Sequence, residues 1–498
     1  MTTILEHIRR HAGQRPDAAA LRDEIGTLDY TGLARELDRL ATALDGERIG
    51  LLLDNGLPWA CLDLAILQRG AVCVPMPGFF SDDQLQHLIG DAGLDRIVTD
   101  RPERLAALLG DAAATTLEVA GRSLALFRPQ PSVPAPALPV GTAKVTYTSG
   151  TTGQPKGVCL SATTIETVTA ALCDAVGASP ADRCLSLLPL STLLENIAGL
   201  YAPLRSGALA QVPSLAECGL SGSSGLQVET LFAAIRRAAP TVAVLVPQLL
   251  KAIVGGILAG LPAPVTLRFI AVGGAPVPES LLQQARLFGL PVFQGFGLSE
   301  AGSVACLNLP GAERQGSVGR PLPHVQVRIA DDGEVVVQGR LFLGYLGDAG
   351  PAGETAWHTG DLGYLDPDGY LFLTGRKKTV YCTAFGRNVA PEWLEGALAG
   401  HPYIAQAAAY GEGRPFNVAI LVPRPGIAPH ELNQAVATVN GQLPDYARIG
   451  GWIAADQPFT PGNGQAGRTG CIRREAIHGH YRARIEQLYS TEENHAFL

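Results

Sequence analysis

Lysine is scarce in this 498-residue chain. Five lysines, at positions 144, 156, 251, 377 and 378, stand against 33 arginines, and the last 120 residues contain none. Long apolar runs are also missing. The most hydrophobic region, about 240–266, is interrupted by Pro247, Lys251 and Pro262. That excludes a clean membrane span of about 20 apolar residues. The nine cysteines are odd in number and form no CxxC pair. This argues against a disulfide framework or a zinc centre and fits a reducing compartment. The start, MTTILEHIRRHAGQRPD, is charged within ten residues and lacks the apolar core of a leader peptide. A soluble, cytoplasmic chain is therefore expected. Excess positive charge is absent too: the formal net charge is −8, so bulk electrostatics give no reason to expect nucleic acid as a partner.

What is present points to layered α/β structure. A hydrophobic fraction of 47% supports large cores and excludes a mostly disordered chain. The length suggests about three domains or subdomains. Residues 33–44 carry Leu and Ala at helical spacing, 49–55 and 71–76 are apolar enough for buried strands, and 58–69 predicts a helix between them. Five prolines in 129–141 predict an extended connector, and the Gly/Ser-rich 219–225 a surface loop. Residues 317–376 alternate short strands with Gly/Asp turns, as in a small β-barrel-like subdomain, and the last 120 residues predict a separate small α+β domain.

The strongest local signal is YTSGTTGQPKG, Tyr147 to Gly157, between predicted strands 144–148 and 158–161. Hydroxyls at Thr148, Ser149, Thr151 and Thr152 alternate with Gly150 and Gly153. Glycine lets backbone approach a phosphate closely, and N–H and O–H groups donate to it. Lys156 adds a mobile cation suited to a triphosphate tail. The other common phosphate loop, GxxxxGK[ST], does not occur.

This motif resembles the phosphate loop of the adenylate-forming superfamily, which comprises acyl- and aryl-CoA synthetases, luciferases and nonribosomal adenylation domains. Four further segments are similar to that family's in order and spacing: GGAPVP (273–278), QGFGLSEAG (294–302), TGDLGYLDPDGYLFLTGRKK (359–378) and NVAPEWLE (388–395). The C-terminal stretch is most similar to long-chain acyl-CoA synthetases. The resemblance implies a mixed α/β fold with a large N-terminal AMP-binding domain, 1–376, and a mobile lid, 377–498. It also implies two half-reactions. A carboxylic acid, fatty or otherwise apolar, is activated by Mg·ATP as an acyl adenylate. The acyl group then passes to the thiol of CoA or of a carrier protein's phosphopantetheine.

Residue roles follow from the same resemblance. Glu300 offers a hard oxygen ligand for Mg²⁺. Ser299 donates to the α-phosphate. Phe296, between Gly295 and Gly297, stacks on adenine, with the Gly273–Gly274–Ala275 backbone on the other face. Asp361 and Arg376 bind the ribose hydroxyls. Lys378 lies at the pivot, and Gly386 lines the thiol tunnel. Leu193, Leu194, Val246, Leu249 and Leu250 are plausible apolar walls for the acyl group.

Two positions depart from the family pattern. Thr192 stands where a histidine near the acyl carboxylate is common; it offers a hydrogen bond but no imidazolium. Cys471 stands where a lysine usually bridges the substrate carboxylate and the α-phosphate. Cysteine is shorter, uncharged as a thiol and a weak donor. Loss of one such transition-state donor costs about 10²–10³ in rate. Arg468, Arg473 and Arg474 are the neighbouring cations. Three explanations stay open: an engineered lysine-to-cysteine substitution, a natural ligase with slow or arginine-rescued adenylation, and a protein that has dropped adenylation. The last would be a same-fold acyltransferase forming amides or thioesters, or a nucleotide-binding pseudoenzyme.

Overall fold

The computed structural model describes residues 2–110, 114–129, 135–148, 155–221, 225–348, 356–377, 379–382, 388–443, 447–467 and 470–492. Two large sheets dominate the first 350 residues. One has eight strands in the order 344–345, 156–161, 142–148, 72–75, 48–52, 96–99, 122–127, 114–119. The other has nine, with a parallel centre formed by 209–211, 183–185, 242–245, 269–272 and 292–298. Helix Leu57–Arg69 packs into the core shared by the two sheets, and every residue from Leu57 to Ile66 is buried. Its sequence accordingly shows little amphipathic contrast, because it has no wet face along that length. The helix predicted from residue 33 begins at Tyr30, because the Asp29 carboxylate caps it by accepting the Gly32 N–H.

Residues 325–376 form a four-stranded antiparallel sheet, in the order 325–329, 334–339, 356–365, 371–376. The 219–225 segment makes a minimal antiparallel pair between Leu220–Ser221 and Gly225–Leu226, with 222–224 outside the described residues.

The last third contains a three-stranded sheet, Ile404–Tyr410, Asn417–Pro423 and Ile449–Ala454. Its central strand is buried on both faces. Ala419 and Leu421 pack with helices Pro391–Ala399 and Pro429–Asn440, whereas Val418, Ile420 and Val422 pack with helix Arg474–Glu492. The period-2 alternation of a strand delivers side chains to both cores. Among the described residues no helix is long and apolar enough to cross a membrane.

Candidate active site

The glycine-rich loop is flanked by two antiparallel strands, Thr142–Thr148 and Lys156–Ser161, with Thr148 paired to Lys156. Ser149, Gly150, Thr151, Thr152 and Gly153 lie outside the described residues. Thr148 is half-buried at the strand end and Lys156 is exposed. The short strand Gly344–Tyr345 adds to the outer edge of this pair and brings Tyr345 beside Lys156, whose Nζ lies 5.4 Å from the ring centroid. On its other side Tyr345 donates its hydroxyl to Glu300 Oε1 at 2.7 Å. Glu300 sits in the 3₁₀ turn Ser299–Ala301, and among the described residues only its Oε1 is engaged. A carboxylate with one oxygen anchored and one unspent suits a hard divalent cation such as Mg²⁺. No local pattern marks Tyr345, which becomes visible only through the register of its strand.

A cavity of about 240 Å³ opens beside this row. Thr192, Leu193, Leu194, Gly273, Gly274, Gly295, Phe296, Gly297 and Ser299 all line it, so much of the expected site is gathered in one place. Pro77, Phe79, Thr146 and Tyr147 contribute an opposing wall that the sequence did not announce. Tyr147 is held by its hydroxyl bond to Asp91, and burial together with that carboxylate pushes its ionisation far up. Ala275 is exposed and outside the cavity wall. Gly297 admits the close approach of the antiparallel strand, since a Cβ there would overlap the Ser303 carbonyl. Gly274, at φ +78°, makes the turn that leaves strand Phe269–Val272.

Three expectations need correction. The glycines around Phe296 predict a loop, but Phe296 lies in strand Val292–Leu298, buried in a core with Ala305 and Val335. Leu249 and Leu250 do not line the cavity; helix Pro247–Leu258 turns them into the main core. Arg474 is no stand-in for the missing lysine, because it is paired with Glu392 at 2.9 Å and with Glu395, at the head of its helix.

Thr192 reaches the cavity, but its hydroxyl donates to the Pro189 carbonyl at 2.7 Å. Asp361 and Arg376 are cross-strand partners joined by an ion pair of 2.8 Å. Asp361 is buried, and that burial pushes its carboxyl up against the opposing pull of Arg376. Lys377 is tied to Asp332 and Glu334. Lys378, Gly386 and Arg468 lie outside the described residues. Cys471 is exposed, and the turn at Gly470 before it lies against Gln248. Gln248 follows Val246, which in turn flanks Gly274.

The family models settle the kinship. The "AMP-binding enzyme" model matches residues 8–347 and the "AMP-binding enzyme C-terminal domain" model matches 379–493. The chain belongs to the AMP-binding enzyme family. Relatives of this AMP-binding enzyme include the long-chain-fatty-acid–CoA ligase FadD15 of Mycobacterium bovis, 29% identical over 449 residues, covering 76% of this chain and 73% of the relative. The fatty acid–[acyl-carrier-protein] ligase ScoC of Streptomyces coeruleorubidus is 28% identical and covers 82% and 84%. Among solved structures, the anthranilate CoA ligase AuaEII in complex with anthranoyl-AMP shares the fold at a TM-score of 0.80 and 18% identity, over 97% of this chain and 98% of that one. O-succinylbenzoate CoA synthetase of Bacillus subtilis, with ATP and magnesium, matches at 0.74 and 23%, over 94% and 98%.

Proposed function

We propose that this AMP-binding enzyme couples ATP to the activation of an apolar carboxylic acid, a fatty acid in the first instance, and passes the acyl group to a thiol. The observation that carries this reading is the row Lys156–Tyr345–Glu300, in which Glu300 follows Ser299 on the wall of a largely apolar cavity. In the first step a carboxylate oxygen attacks the α-phosphorus of ATP. The bond from that phosphorus to the bridging oxygen breaks, and pyrophosphate leaves. In the second, a thiol of CoA or of a carrier protein displaces AMP from the acyl carbon, and the thiol proton leaves to solvent.

The first step joins two anions, so oriented donors and positive charge lower its barrier. In this reading Thr148, Ser149, Gly150, Thr151, Thr152, Gly153 and Lys156 cradle the phosphates. Glu300 would hold Mg²⁺, which supplies charge neutralisation to the phosphate oxygens. Asp361 and Arg376 take the ribose diol, and the Gly273–Gly274 turn with Phe296 borders the base. Pro77, Phe79, Leu193 and Leu194 surround the acyl group.

The domain division belongs to the same proposal: a large module to residue 376, and a lid from 377 that turns between the two steps about Lys378 and presents Gly386 to the thiol. Limited proteolysis checks it, with cleavage expected within 376–390 and a folded fragment of about 370 residues left behind. A reducing, cytoplasmic setting belongs to the same reading and is in keeping with eight free cysteines among the described residues, seven of them buried.

Pyrophosphate release with a panel of acids tests the activity. Release with medium- or long-chain acids is expected; none with any acid removes the ligase reading. One observation favours a second reading. Cys471 carries no cation, and Arg474 is spent on glutamates, which suits an acyltransferase fed with a preformed adenylate. Product from a supplied acyl adenylate, without pyrophosphate release from ATP, selects that reading.

A further inference from the structure

The chain after Thr192 makes one helical turn, Leu193–Glu195, and then widens into a π-helical turn, Asn196–Tyr201. Such turns are uncommon and concentrate where function needs side chains re-aimed. Here two consecutive residues serve two different polar surroundings. Asn196 joins Lys144, Asp63 and Tyr201 in a buried cluster. Glu195 occupies a separate slot. It is fully buried, and the polar groups that face its carboxyl are the Ser186 hydroxyl and the Leu188 backbone. The slot is closed by Gly199, where a Cβ would overlap Glu195 Oε1 and crowd the Ser186 hydroxyl. Burial pushes the ionisation of this carboxyl up, and the Ser186 hydroxyl and the Leu188 backbone pull it down less strongly.

No cation faces this carboxyl among the described residues. Lys144 donates to Asp63, Asn196 and Tyr201, which uses all three of its N–H bonds. The titratable groups turned toward Glu195 are the thiols of Cys184, on strand Arg183–Leu185, and Cys218, on the 3₁₀ turn Ala216–Cys218. Burial pushes both thiols up, so they are neutral. On helix Ala162–Val176, Glu166 is engaged by the Ile4 N–H and Cys173 by the Ala202 carbonyl. Strands Leu209–Gln211 and Val242–Leu245 bring no titratable side chain.

An ionised carboxylate without a counter-ion is too costly to keep in such a buried slot. We propose that Glu195 is a positioning residue that works as a neutral carboxylic acid, holding residues 186–192, and with them Thr192, against the cavity. The proposal rests on the reading of that cavity as the acyl-activating site. The neutral acid fits the slot as built. The anion would have to draw water past Gly199, and the segment from Ser186 to Thr192 would move to admit it.

Burial pushes the Glu195 carboxyl up to about 8. A raised carboxyl stabilises the protonated fold at low pH, and that contribution is lost as pH rises through the folded value. The test compares the protein with Glu195→Gln, which has the size of the neutral acid and cannot ionise. Two readouts are followed from pH 6 to pH 9.5: kcat for pyrophosphate release under saturating ATP, and the melting temperature. For the unaltered protein, kcat is expected to fall about fivefold between pH 8 and 9, as the loss of one proton near pH 8 demands, with the KM for ATP little changed. Its melting temperature should fall from pH 6 to about 8, where the folded group titrates, and level off above that. Glu195→Gln should keep kcat within about twofold of the neutral-pH value and flatten both profiles. The same alkaline loss in the Gln variant overturns the proposal. So does a Gln variant that fails to fold at pH 7, because the slot would then require the charge. The melting profile needs no turnover, so a chain that releases no pyrophosphate loses the ligase reading while Glu195 is still tested.

Discussion

The Tyr345 hydroxyl donates to Glu300 Oε1 across 2.7 Å, while the same ring carries the Lys156 ammonium over its face. Tyr345 reaches this position because its two-residue strand pairs with Val158 and Cys159, just beyond the glycine-rich loop. One hydrogen-bond register therefore fixes the spacing between the loop's lysine and the carboxylate opposite it. A hydroxyl donor also takes up one oxygen of the Glu300 carboxylate, leaving the other unspent among the described residues.

Tyr345→Phe removes that donor and keeps the ring. A hydrogen bond to a charged group contributes about 1.5–3 kcal/mol, so the KM for Mg·ATP should rise about tenfold or more. The stacking position of Lys156 should survive, and AMP binding measured by calorimetry should change by less than about twofold. An unchanged KM would mean that Glu300 needs no anchor.

Asp361→Ala should weaken AMP binding by about 1–3 kcal/mol, because it removes the buried carboxylate and leaves Arg376 without its partner. Asp361→Asn should recover part of the loss, since an amide oxygen still accepts from one ribose hydroxyl. Calorimetric titration with AMP at fixed ionic strength reads both.

Cys471→Lys restores a cation where two anions meet. Pyrophosphate release should rise about 10²-fold, the scale of one pre-organised donor. Thiol transfer from a supplied acyl adenylate should change little if the lid has turned this residue away by then. If Cys471 carries chemistry of its own, Cys471→Lys and Cys471→Ser will both lose product. Equal pyrophosphate release from all three forms would transfer attention to Arg468 and Arg473.

Lys144→Met leaves Asp63 as an uncompensated buried charge. Breaking one side of such a pair costs about 3–5 kcal/mol, read as a lowered urea midpoint. Removing both charges, with Lys144→Met and Asp63→Leu together, should recover a large part of that loss.

The sequence made the phosphate loop legible because glycines and hydroxyls there have a local reason to be where they are, and its flanking strands were apolar enough to recognise. Glu300, the Gly273–Gly274 turn and the Asp361–Arg376 pair came from the family resemblance; the fold puts the turn on the cavity wall and pairs Asp361 with Arg376. What stayed hidden depends on contacts between distant segments. Tyr345 meets Glu300 across 45 positions, and no local pattern marks it. Leu249 and Leu250 follow the cavity strand closely in sequence, yet the helical twist after Pro247 carries them to the core. Phe296 looked like a loop residue because glycine usually breaks strands; here glycines at 295 and 297 are needed so that the neighbouring strand Ser303–Leu307 can approach. Glu195 reads as an ordinary helix-surface acid until its burial is seen.

The ammonium of Lys144 is a joint between three parts of the chain: strand Thr142–Thr148, helix Leu57–Arg69 and the π-helical turn. Each of its protons ends on a different partner, so none of the three segments can open while the other two stay closed without stranding a buried charge or an unspent buried donor. Their amide protons should consequently exchange with solvent as one cooperative unit, at rates set by a shared opening event rather than by each segment's own fraying. The floor of the site would then switch between fully assembled and fully open, with little in between.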